Sequence, residues 1–315
     1  MKNPLVSFAI TCYNEELEWV IQCLDSIDSQ TYRNFNAFLV IDRPDYPHEA
    51  ALHAYAAQHS WLKVYTNPKN LGHAGAKNRA NALTNGDYIA IVDADDYYHP
   101  QKLEIQIGYM EEHPYVDVCG TFGQKFGKKN KPMIYPIEHK DFYFYVSCCM
   151  AQPSVVLRRR VLDEVGKIYP ITPCTEDYHA WVNLYPNYTF HNIPQVLYYY
   201  RVHPQQTSCR LLDLQDEHAI PPRRQALAYY LEMHGCSLEV PNPITPEFVE
   251  CISNLDIFPP KQHAELMHGL VRSVPHFNVC HLFRFWKKGV LGKLSARDRR
   301  RTIWAAISGR PRVKY

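Results

Sequence analysis

The chain has 315 residues, of which 46% are hydrophobic and 21% charged, and its formal net charge is +2; these values are ordinary for one large domain, or for one domain and an appendage. Its ten cysteines include no CxxC pair, so neither a zinc site nor the disulfide framework of a secreted protein is indicated. No stretch approaches the roughly 18 apolar residues of a membrane span, and the apolar residues 5–10 lack a cleavage site, so we expect a cytoplasmic protein with reduced thiols.

The first hundred residues alternate between predicted strands and helices. Apolar runs predict strands at 5–11, 35–41, 62–65 and 88–92, and apolar positions at helical spacing predict helices at 15–29, 47–59 and 73–83. This alternation implies right-handed crossovers and a mostly parallel sheet with helices on both faces. The carboxyl ends of the strands would then open onto one edge, where open α/β sheets bind their ligands.

Three carboxylates follow the fourth predicted strand directly: Asp93, Asp95 and Asp96. Such closely spaced carboxylates repel one another unless a cation neutralises them. Hard divalent cations such as Mg²⁺ or Mn²⁺ take oxygen ligands together with substrate phosphates. The stretch therefore predicts a metal and a diphosphate, and its alternative interpretation is an acidic turn or a helix N-cap.

The rest of the chain divides into a middle region and a helical end. In the middle we predict a strand at 116–122 and a helix at 141–150. Helices are predicted at 226–234, 246–252, 262–271 and 279–290, broken by prolines at 221–222, 241–243 and 259–260. The pattern therefore predicts a helical appendage after the α/β region.

Positive charge is concentrated at the end of the sequence. Residues 284–315 contain eleven lysines and arginines against one aspartate, a net charge of +10, so the remainder carries −8. Aromatic and aliphatic residues lie among them, which favours docking on an anionic membrane surface at the inner face of the cell membrane. The alternatives are a solvated tail and a dimer contact. No nucleic-acid-binding motif accompanies the charge, so nucleic acid is not expected as a partner.

Five segments resemble those of the family 2 glycosyltransferases, which invert the sugar and have the GT-A fold. They are VSFAITCYNE at 6–15, NLGHAGAKN at 70–78, VDADD at 92–96, TEDYHAW at 175–181 and YYRVH at 199–203. The family forms are V-S-x-I-I-P-x-Y-N-E, N-x-G-x-x-x-A-R-N, D-x-D-D, E-D-x-x-x-W and Y-R-x-H. Five segments in the right order over about two hundred residues are far more specific than any one of them. Residues 152–158, QPSVVLR, also resemble the family's acceptor-side strand. The resemblance stops near residue 207, which implies a catalytic domain at 1–207 and a helical appendage at 208–315.

The resemblance implies a role for each matching residue. Asp95 and Asp96 would hold Mn²⁺ or Mg²⁺ directly or through water, and His203 would ligate the metal or donate to the diphosphate. Asp177 would be the catalytic base, with Glu176 bonding the acceptor or orienting its neighbour. The residues expected to bind the nucleotide sugar are Thr11, Tyr13, Glu15, Asp42, Asn70, Gly72, Lys77, Asp93 and Ala94.

Three of those residues have more specific expected contacts. Asp42 would accept from the uracil or the ribose, and Asp93 would contact the ribose or the metal. Lys77 stands where the family usually has arginine, and it would neutralise phosphate or approach the base without bidentate geometry.

Two departures from the family pattern refine the expectation. The family has D-D-G-S after the second strand, whereas this chain has DRPD at 42–45, so the loop beneath the nucleoside is rebuilt and stiffened by proline. No Q-x-x-R-W motif is present, and this motif marks the processive synthases. A single sugar per turnover is therefore expected.

The sequence thus predicts a metal-dependent inverting transferase. It would move one sugar from a nucleotide donor, expected to be UDP-linked, to a glycan or lipid-linked acceptor in surface polysaccharide assembly. One alternative is a sugar-phosphate nucleotidyltransferase, but residues 11–15 do not supply the glycine-rich basic loop which that activity needs. The other is a non-catalytic module that binds sugar nucleotides, and the joint presence of Asp95, Asp96 and Asp177 argues against it.

Overall fold

The protein folds into two compact units in the computed structural model, which describes residues 3–204, 206, 212–274, 279–294, 296, 298–300 and 302. The first unit comprises Met1–Phe142 and Cys148–Ala219, and the second comprises Tyr143–Ser147 and Ile220–Tyr315. The domain boundary predicted after residue 207 lies outside the described residues.

The first unit opens with the predicted parallel sheet. Its strands are β1 (Val6–Cys12), β2 (Phe35–Ile41), β3 (Leu62–Thr66) and β4 (Tyr88–Asp93), in the spatial order β3-β2-β1-β4, and all three neighbouring pairs are parallel. Helices α1 (Leu17–Asp28), α2 (Glu49–Gln58) and α3 (Gly72–Leu83) connect them. β1, β2 and β4 are almost entirely buried, because helices cover a parallel sheet on both faces. These predicted elements are confirmed.

Further strands extend the same sheet beyond β4. They are β5 (Tyr97–Tyr98), β6 (Val118–Gly127), β7 (Lys131–Met133), β8 (Val156–Arg158) and β9 (Phe190–Val202), and the order continues β4-β8-β6-β9-β5, with β7 on β6. β8 is antiparallel to β4 and β6, whereas β6 and β9 are parallel. The helices here are α4 (Lys102–Glu112), α5 (Arg159–Val165), α6 (Glu176–Leu184) and α7 (Leu212–His218).

The helix predicted at 141–150 is wrong. The structure has a 3₁₀ turn at His139–Asp141 followed by irregular backbone. Aromatic and β-branched residues, which are weak helix formers, dominate this segment, and Phe142 and Phe144 are buried without a helix. The strand predicted at 152–158 is shorter than expected, because Pro153 lies in a 3₁₀ turn and cannot donate to a ladder.

The second unit is helical, as predicted. It contains α8 (Ile220–Met233), α9 (Pro246–Asn254), α10 (Pro260–Ser273), α11 (Val279–Lys287) and a 3₁₀ turn at Val290–Lys293. The predicted break at Pro221 and Pro222 lies slightly earlier than expected: α7 ends at His218 and α8 begins at Ile220, so both prolines lie in the first turn of α8. Proline is tolerated there, since the N–H groups of the first turn have no partner within the helix.

Part of the basic tail is described. Trp286, Lys287 and Lys288 are exposed, and Arg284 pairs with Glu247 and Glu250 of α9. Residues 303–315, which carry part of the positive charge and of the apolar residues of this tail, lie outside the described residues. Among the helices that are described, none combines the length and the apolar character needed to cross a membrane.

Candidate active site

A cavity of about 1040 Å³ lies at the carboxyl ends of the parallel strands in the first unit. It brings together most of the predicted site residues. Those that line it are Thr11, Tyr13, Glu15, Asp42, Asn70, Gly72, Lys77, Asp93, Asp95, Glu176, Asp177 and His203. Two predicted residues do not line it: Ala94, which is packed in the hydrophobic core, and Asp96, which is 1% exposed.

The turns after β1 and β2 form one side of the cavity. Glu15 folds back so that its Oε2 accepts the N–H groups of Tyr13 and Asn14, at 2.5 and 3.0 Å. Burial and the nearby charge of Asp95 raise the pKa of Glu15. Asp42 Oδ1 accepts from Asn67 Nδ2 at 2.5 Å and from the N–H of Leu71 at 2.9 Å. Asp42 therefore fixes the loop that leads into α3.

That loop turns sharply at its end. Asn70 Oδ1 accepts the N–H of Gly72 at 2.7 Å, which is the side-chain turn that asparagine favours. Gly72 has φ of +72°, a left-handed conformation that costs glycine no steric energy. These two residues place α3 so that Lys77 reaches the cavity.

The three carboxylates after β4 have different environments. Asp93 Oδ1 is 3.5 Å from Lys77 Nζ, and Asp95 Oδ2 is 3.3 Å from His203 Nε2. Asp96 Oδ1 accepts the backbone N–H of Arg201 at 2.8 Å. Burial, followed by the charges of Asp95 and Asp93, raises the pKa of Asp96 well above its usual value. Only the first two of the three carboxylates therefore face the cavity.

The end of β9 is fixed to this loop by Arg201. Its Nε donates to the carbonyl oxygen of Asp95 at 2.8 Å, and its guanidinium lies over the rings of Trp19 and Phe126, at 5.0 and 4.6 Å. The Trp19 ring also contacts His203, with centroids 4.7 Å apart. These contacts hold the His203 imidazole against Asp95.

A divalent metal fits these residues if the substrate supplies part of its coordination. Within the described part of the chain, no three histidine, cysteine or carboxylate side chains are grouped to hold a metal ion by themselves. Asp95 and His203 both line the cavity, and the buried Nδ1 of His203 has no hydrogen-bond partner there. Magnesium is commonly held by one or two carboxylates together with substrate phosphates. The donor set is consistent with such a shared site.

Asp177 and Glu176 enter the cavity from the start of α6. Thr175 directly precedes them and has a φ of 61°. Among the described residues, it is the one non-glycine residue with a positive φ. Burial and the charge of Glu176 raise the pKa of Asp177 to about 6. A carboxylate with a pKa near 6 is suited to accept a proton near neutral pH.

Several cavity residues were not predicted from the sequence. The structure adds His73, Lys125, Tyr135, Gln152, Tyr198, Tyr200 and Gln206, among others. The repeated tyrosines at 198–200 were noticeable in the sequence, but most tyrosines pack in cores or at surfaces. Gln152 begins the segment that resembles the family's acceptor-side strand, but its contact with Lys77 joins residues 75 positions apart and was not predicted.

Comparison with known proteins decides the family. Residues 7–166 match the sequence model described as Glycosyl transferase family 2. The chain belongs to this family. Family 2 membership makes it a glycosyltransferase, as predicted, and favours this activity over nucleotidyl transfer.

Curated glycosyltransferases match most of the chain. It is 30% identical over 210 residues to the uncharacterized glycosyltransferase MJ1057 of Methanocaldococcus jannaschii, covering 64% of this chain and 72% of the relative. It is 29% identical over 201 residues to the amylovoran biosynthesis glycosyltransferase AmsE of Erwinia amylovora, covering 61% and 74%.

Solved structures confirm the predicted GT-A fold. Residues 1–349 of S. aureus TarS, in complex with UDP-GlcNAc, superpose with a TM-score of 0.58 at 16% identity, covering 97% of this chain and 92% of TarS. The mannosyltransferase PcManGT of Pyrobaculum calidifontis, in complex with GDP-Man and Mn²⁺, gives 0.53 at 16%, covering 97% and 86%. At these identities the likeness shows the fold alone.

Proposed function

We propose that this family 2 enzyme is a metal-dependent inverting glycosyltransferase that moves one sugar from a nucleotide-sugar donor to a glycan or lipid-linked acceptor. One observation carries the proposal: a single cavity contains Asp93 and Asp95 from the end of β4 together with Asp177 from the start of α6. This arrangement combines a site for a charged leaving group with a separate carboxylate that can act as a base.

The donor side is formed by the strand ends. Asp42 and Asn70 shape the turn next to Lys77, and Asp93 and Asp95 follow β4. A nucleoside diphosphate fits such an edge, since ligands of open α/β sheets bind outside the carboxyl ends of the strands. A UDP-linked sugar is the proposed donor, and the UDP-GlcNAc complex of TarS supports this choice.

Asp95 and His203 would hold the metal, with phosphate oxygens completing its coordination. When bound, Mn²⁺ or Mg²⁺ supplies positive charge that offsets the negative charge developing on the departing diphosphate. The Mn²⁺ complex of PcManGT supports a divalent ion in this fold. Asp93 lies next to the pair and would contact the ribose.

Asp177 would take the proton of the acceptor hydroxyl. The hydroxyl oxygen then forms a bond to the anomeric carbon as the bond from that carbon to the diphosphate breaks, which inverts the configuration. General-base assistance of this kind typically contributes a factor of about 10² to 10⁴ in rate. The raised pKa of Asp177, about 6, leaves it ionised at neutral pH and basic enough to act.

The acceptor class is proposed from a relative. AmsE is named for amylovoran biosynthesis, which supports a role for this chain in assembling a surface polysaccharide. The exposed aromatic and basic residues around Trp286 support a lipid-linked acceptor at a membrane surface.

The test is donor hydrolysis with purified protein and Mn²⁺ across UDP-, GDP-, CMP- and dTDP-sugars, measuring the released nucleotide. We expect turnover of one donor, best with UDP, and its loss with EDTA. Asp95→Asn and Asp177→Asn are each expected to lower turnover by about 100-fold or more, because one removes a metal ligand and the other the base.

Asp163→Asn is the matched control, since Asp163 is an exposed aspartate on α5 that does not line the cavity. It should keep wild-type turnover. The proposal fails if no donor is hydrolysed and none raises the melting temperature, because both the metal and the nucleotide assignments would then be lost.

A further inference from the structure

The ammonium group of Lys77 is surrounded by protein acceptors. Lys77 Nζ is 2.6 Å from Gln152 Oε1, 3.1 Å from Glu176 Oε1 and 3.5 Å from Asp93 Oδ1. The Tyr169 ring lies 5.9 Å away, and the lysine side chain is 9% exposed. An ammonium has three donors, so these three groups match its full donor capacity.

Lys77 thereby connects two parts of the cavity. Asp93 ends β4, next to the proposed metal site, and Glu176 begins α6, next to the proposed base. Without a cation, Asp93, Glu176 and Asp177 would place three negative charges in one largely buried region. Interactions between charges are much stronger there than in water. One lysine ammonium contacts two of the three carboxylates.

We propose that Lys77 is a positioning residue: it holds and neutralises Glu176, so that Asp177 is the carboxylate available to take the acceptor proton. The inference rests on the proposed function of Asp177 as the base. It gives Lys77 a different principal partner from the phosphate or nucleobase that the sequence suggested.

The electrostatics of the three groups agree with this role. Burial lowers the pKa of Lys77, but the charges of Asp93 and Glu176 outweigh burial and raise it, so the ammonium stays charged. Burial raises the pKa of Glu176, but the charge of Lys77, followed by that of His73 and a backbone hydrogen bond, outweighs burial and lowers it, so Glu176 stays ionised. For Asp177, burial and then the charge of Glu176 raise the pKa to about 6, while Lys77 lowers it.

Other ionisable groups that interact with Asp177 come from several elements. They are Glu176 on its own helix, Lys77 on α3, Asp93 at the end of β4, and Tyr135, Cys148, Tyr169 and Cys174 in the connecting segments. Among the groups that shift the pKa of Asp177, Lys77 is the one that carries a positive charge. Removal of the Lys77 charge should therefore raise the pKa of Asp177.

The experiment is the pH profile of donor turnover from pH 5 to 8. In the wild type, turnover should fall as the pH drops below about 6, because Asp177 must be unprotonated to act. Lys77→Met should move this acid limb to higher pH by about one unit, because the positive charge that lowered the pKa of Asp177 is lost. Glu176→Gln should move it to lower pH, because it removes a like charge.

Two variants act as controls. Lys77→Arg keeps the positive charge and should leave the acid limb near its wild-type position. Lys63→Met removes an exposed lysine of β3 that does not line the cavity, and it should not move the limb. A purely structural role for Lys77 predicts lower turnover without opposite shifts in the two acid limbs.

A second measurement needs no turnover. Asp177→Asn should raise the free energy of unfolding, because a carboxylate with a raised folded-state pKa destabilises the folded protein once it ionises. This gain should grow from about pH 4 and level off near pH 6. With Lys77→Met as the background, it should level off about one pH unit higher. Urea unfolding at several pH values measures both curves.

The two measurements separate the inference from the proposed function. If the gain levels off at the same pH in both backgrounds, Lys77 does not control Asp177 and the inference is wrong. If the gain shifts as expected but the wild type turns over no donor, the role of Lys77 stands and the proposed activity fails. If turnover occurs and both acid limbs move in the same direction, the inference also fails.

Discussion

Thr175 has an unfavourable backbone conformation at the entrance to α6. Its φ of 61° and ψ of 24° lie in the left-handed region, where a β-branched residue is a genuine outlier. The conformation costs L-residues roughly 1–2 kcal/mol. Its hydroxyl donates to the carbonyl oxygens of Cys174 and His218, at 2.6 and 3.3 Å. Strain of this kind is concentrated at functional sites, and here it directly precedes Glu176 and Asp177.

Thr175→Asn should therefore stabilise the protein. Asparagine adopts the left-handed conformation more readily than threonine and keeps a side chain that can form hydrogen bonds. We expect the free energy of unfolding to rise by about 1 kcal/mol, measured by urea unfolding at neutral pH.

Thr172→Asn provides a closely matched control. Thr172 is also half-buried, and its hydroxyl also donates to the carbonyl of Cys174, at 2.9 Å. It is not among the residues with positive φ, so the same substitution should give no gain. Equal effects at the two positions would show that left-handed strain at Thr175 is not what limits stability.

Strand β9 depends on the loop after β4 for the position of its last residues. Asp96 accepts the Arg201 backbone N–H, and Arg201 in turn donates to the Asp95 carbonyl. His203 lies two residues further along. The sequence predicted Asp96 as a metal ligand, whereas its contacts support a role in anchoring this strand.

The two aspartates should therefore respond differently to substitution. Asp96→Ala is expected to lower the free energy of unfolding by about 1–3 kcal/mol, because a part-buried N–H loses its acceptor. Asp96→Asn keeps an acceptor oxygen and should retain Mn²⁺ binding in the presence of UDP, measured by calorimetry. Asp95→Asn should abolish that binding. Loss of Mn²⁺ binding in Asp96→Asn to the same extent would make Asp96 a ligand after all.

Local patterns were sufficient to predict the first half of the sheet. The apolar runs that became β1, β2 and β4 are continuous in sequence and almost entirely buried in the structure. The general rule for strand ends then located Asp93 and Asp95 at the cavity. Family resemblance was needed for Glu176 and Asp177, which no periodicity singles out.

Contacts over long sequence separations could not be predicted in this way. Lys77 and Glu176 are 99 residues apart, and their pairing depends on how α6 packs in the folded unit. Burial also distinguished between adjacent aspartates, since Asp95 faces the cavity and Asp96 does not. The sequence shows that both are acidic, but the position of β9 determines which is exposed.

Charge is unevenly distributed over the whole chain. The net charge of residues 284–315 is +10, and that of residues 1–283 is −8. A short-range attraction to anionic lipid can therefore act through one end of the sequence even though the net charge of the chain is close to zero. Each lysine or arginine near such a surface contributes about 1 kcal/mol.

Vesicle binding by the whole 315-residue chain tests this proposal. We expect co-sedimentation with vesicles that contain phosphatidylglycerol, weak binding to pure phosphatidylcholine, and loss of binding at high salt, where charges are screened. The double variant Lys287→Gln and Lys288→Gln should weaken association by about 2 kcal/mol, or roughly thirtyfold. Both lysines are exposed and flank the exposed Trp286 on its carboxyl side.

The matched control is the double variant Lys128→Gln and Lys129→Gln. These residues are also an exposed adjacent pair, but they lie in the first unit, after β6. Both double variants change the net charge of the chain by the same amount, so a general effect of net charge would weaken binding equally. Because attraction to a surface decays within about 8 Å at physiological ionic strength, only the pair at the contact surface should matter. Equal loss in both, or equal binding to neutral vesicles, would exclude the basic end as the membrane contact.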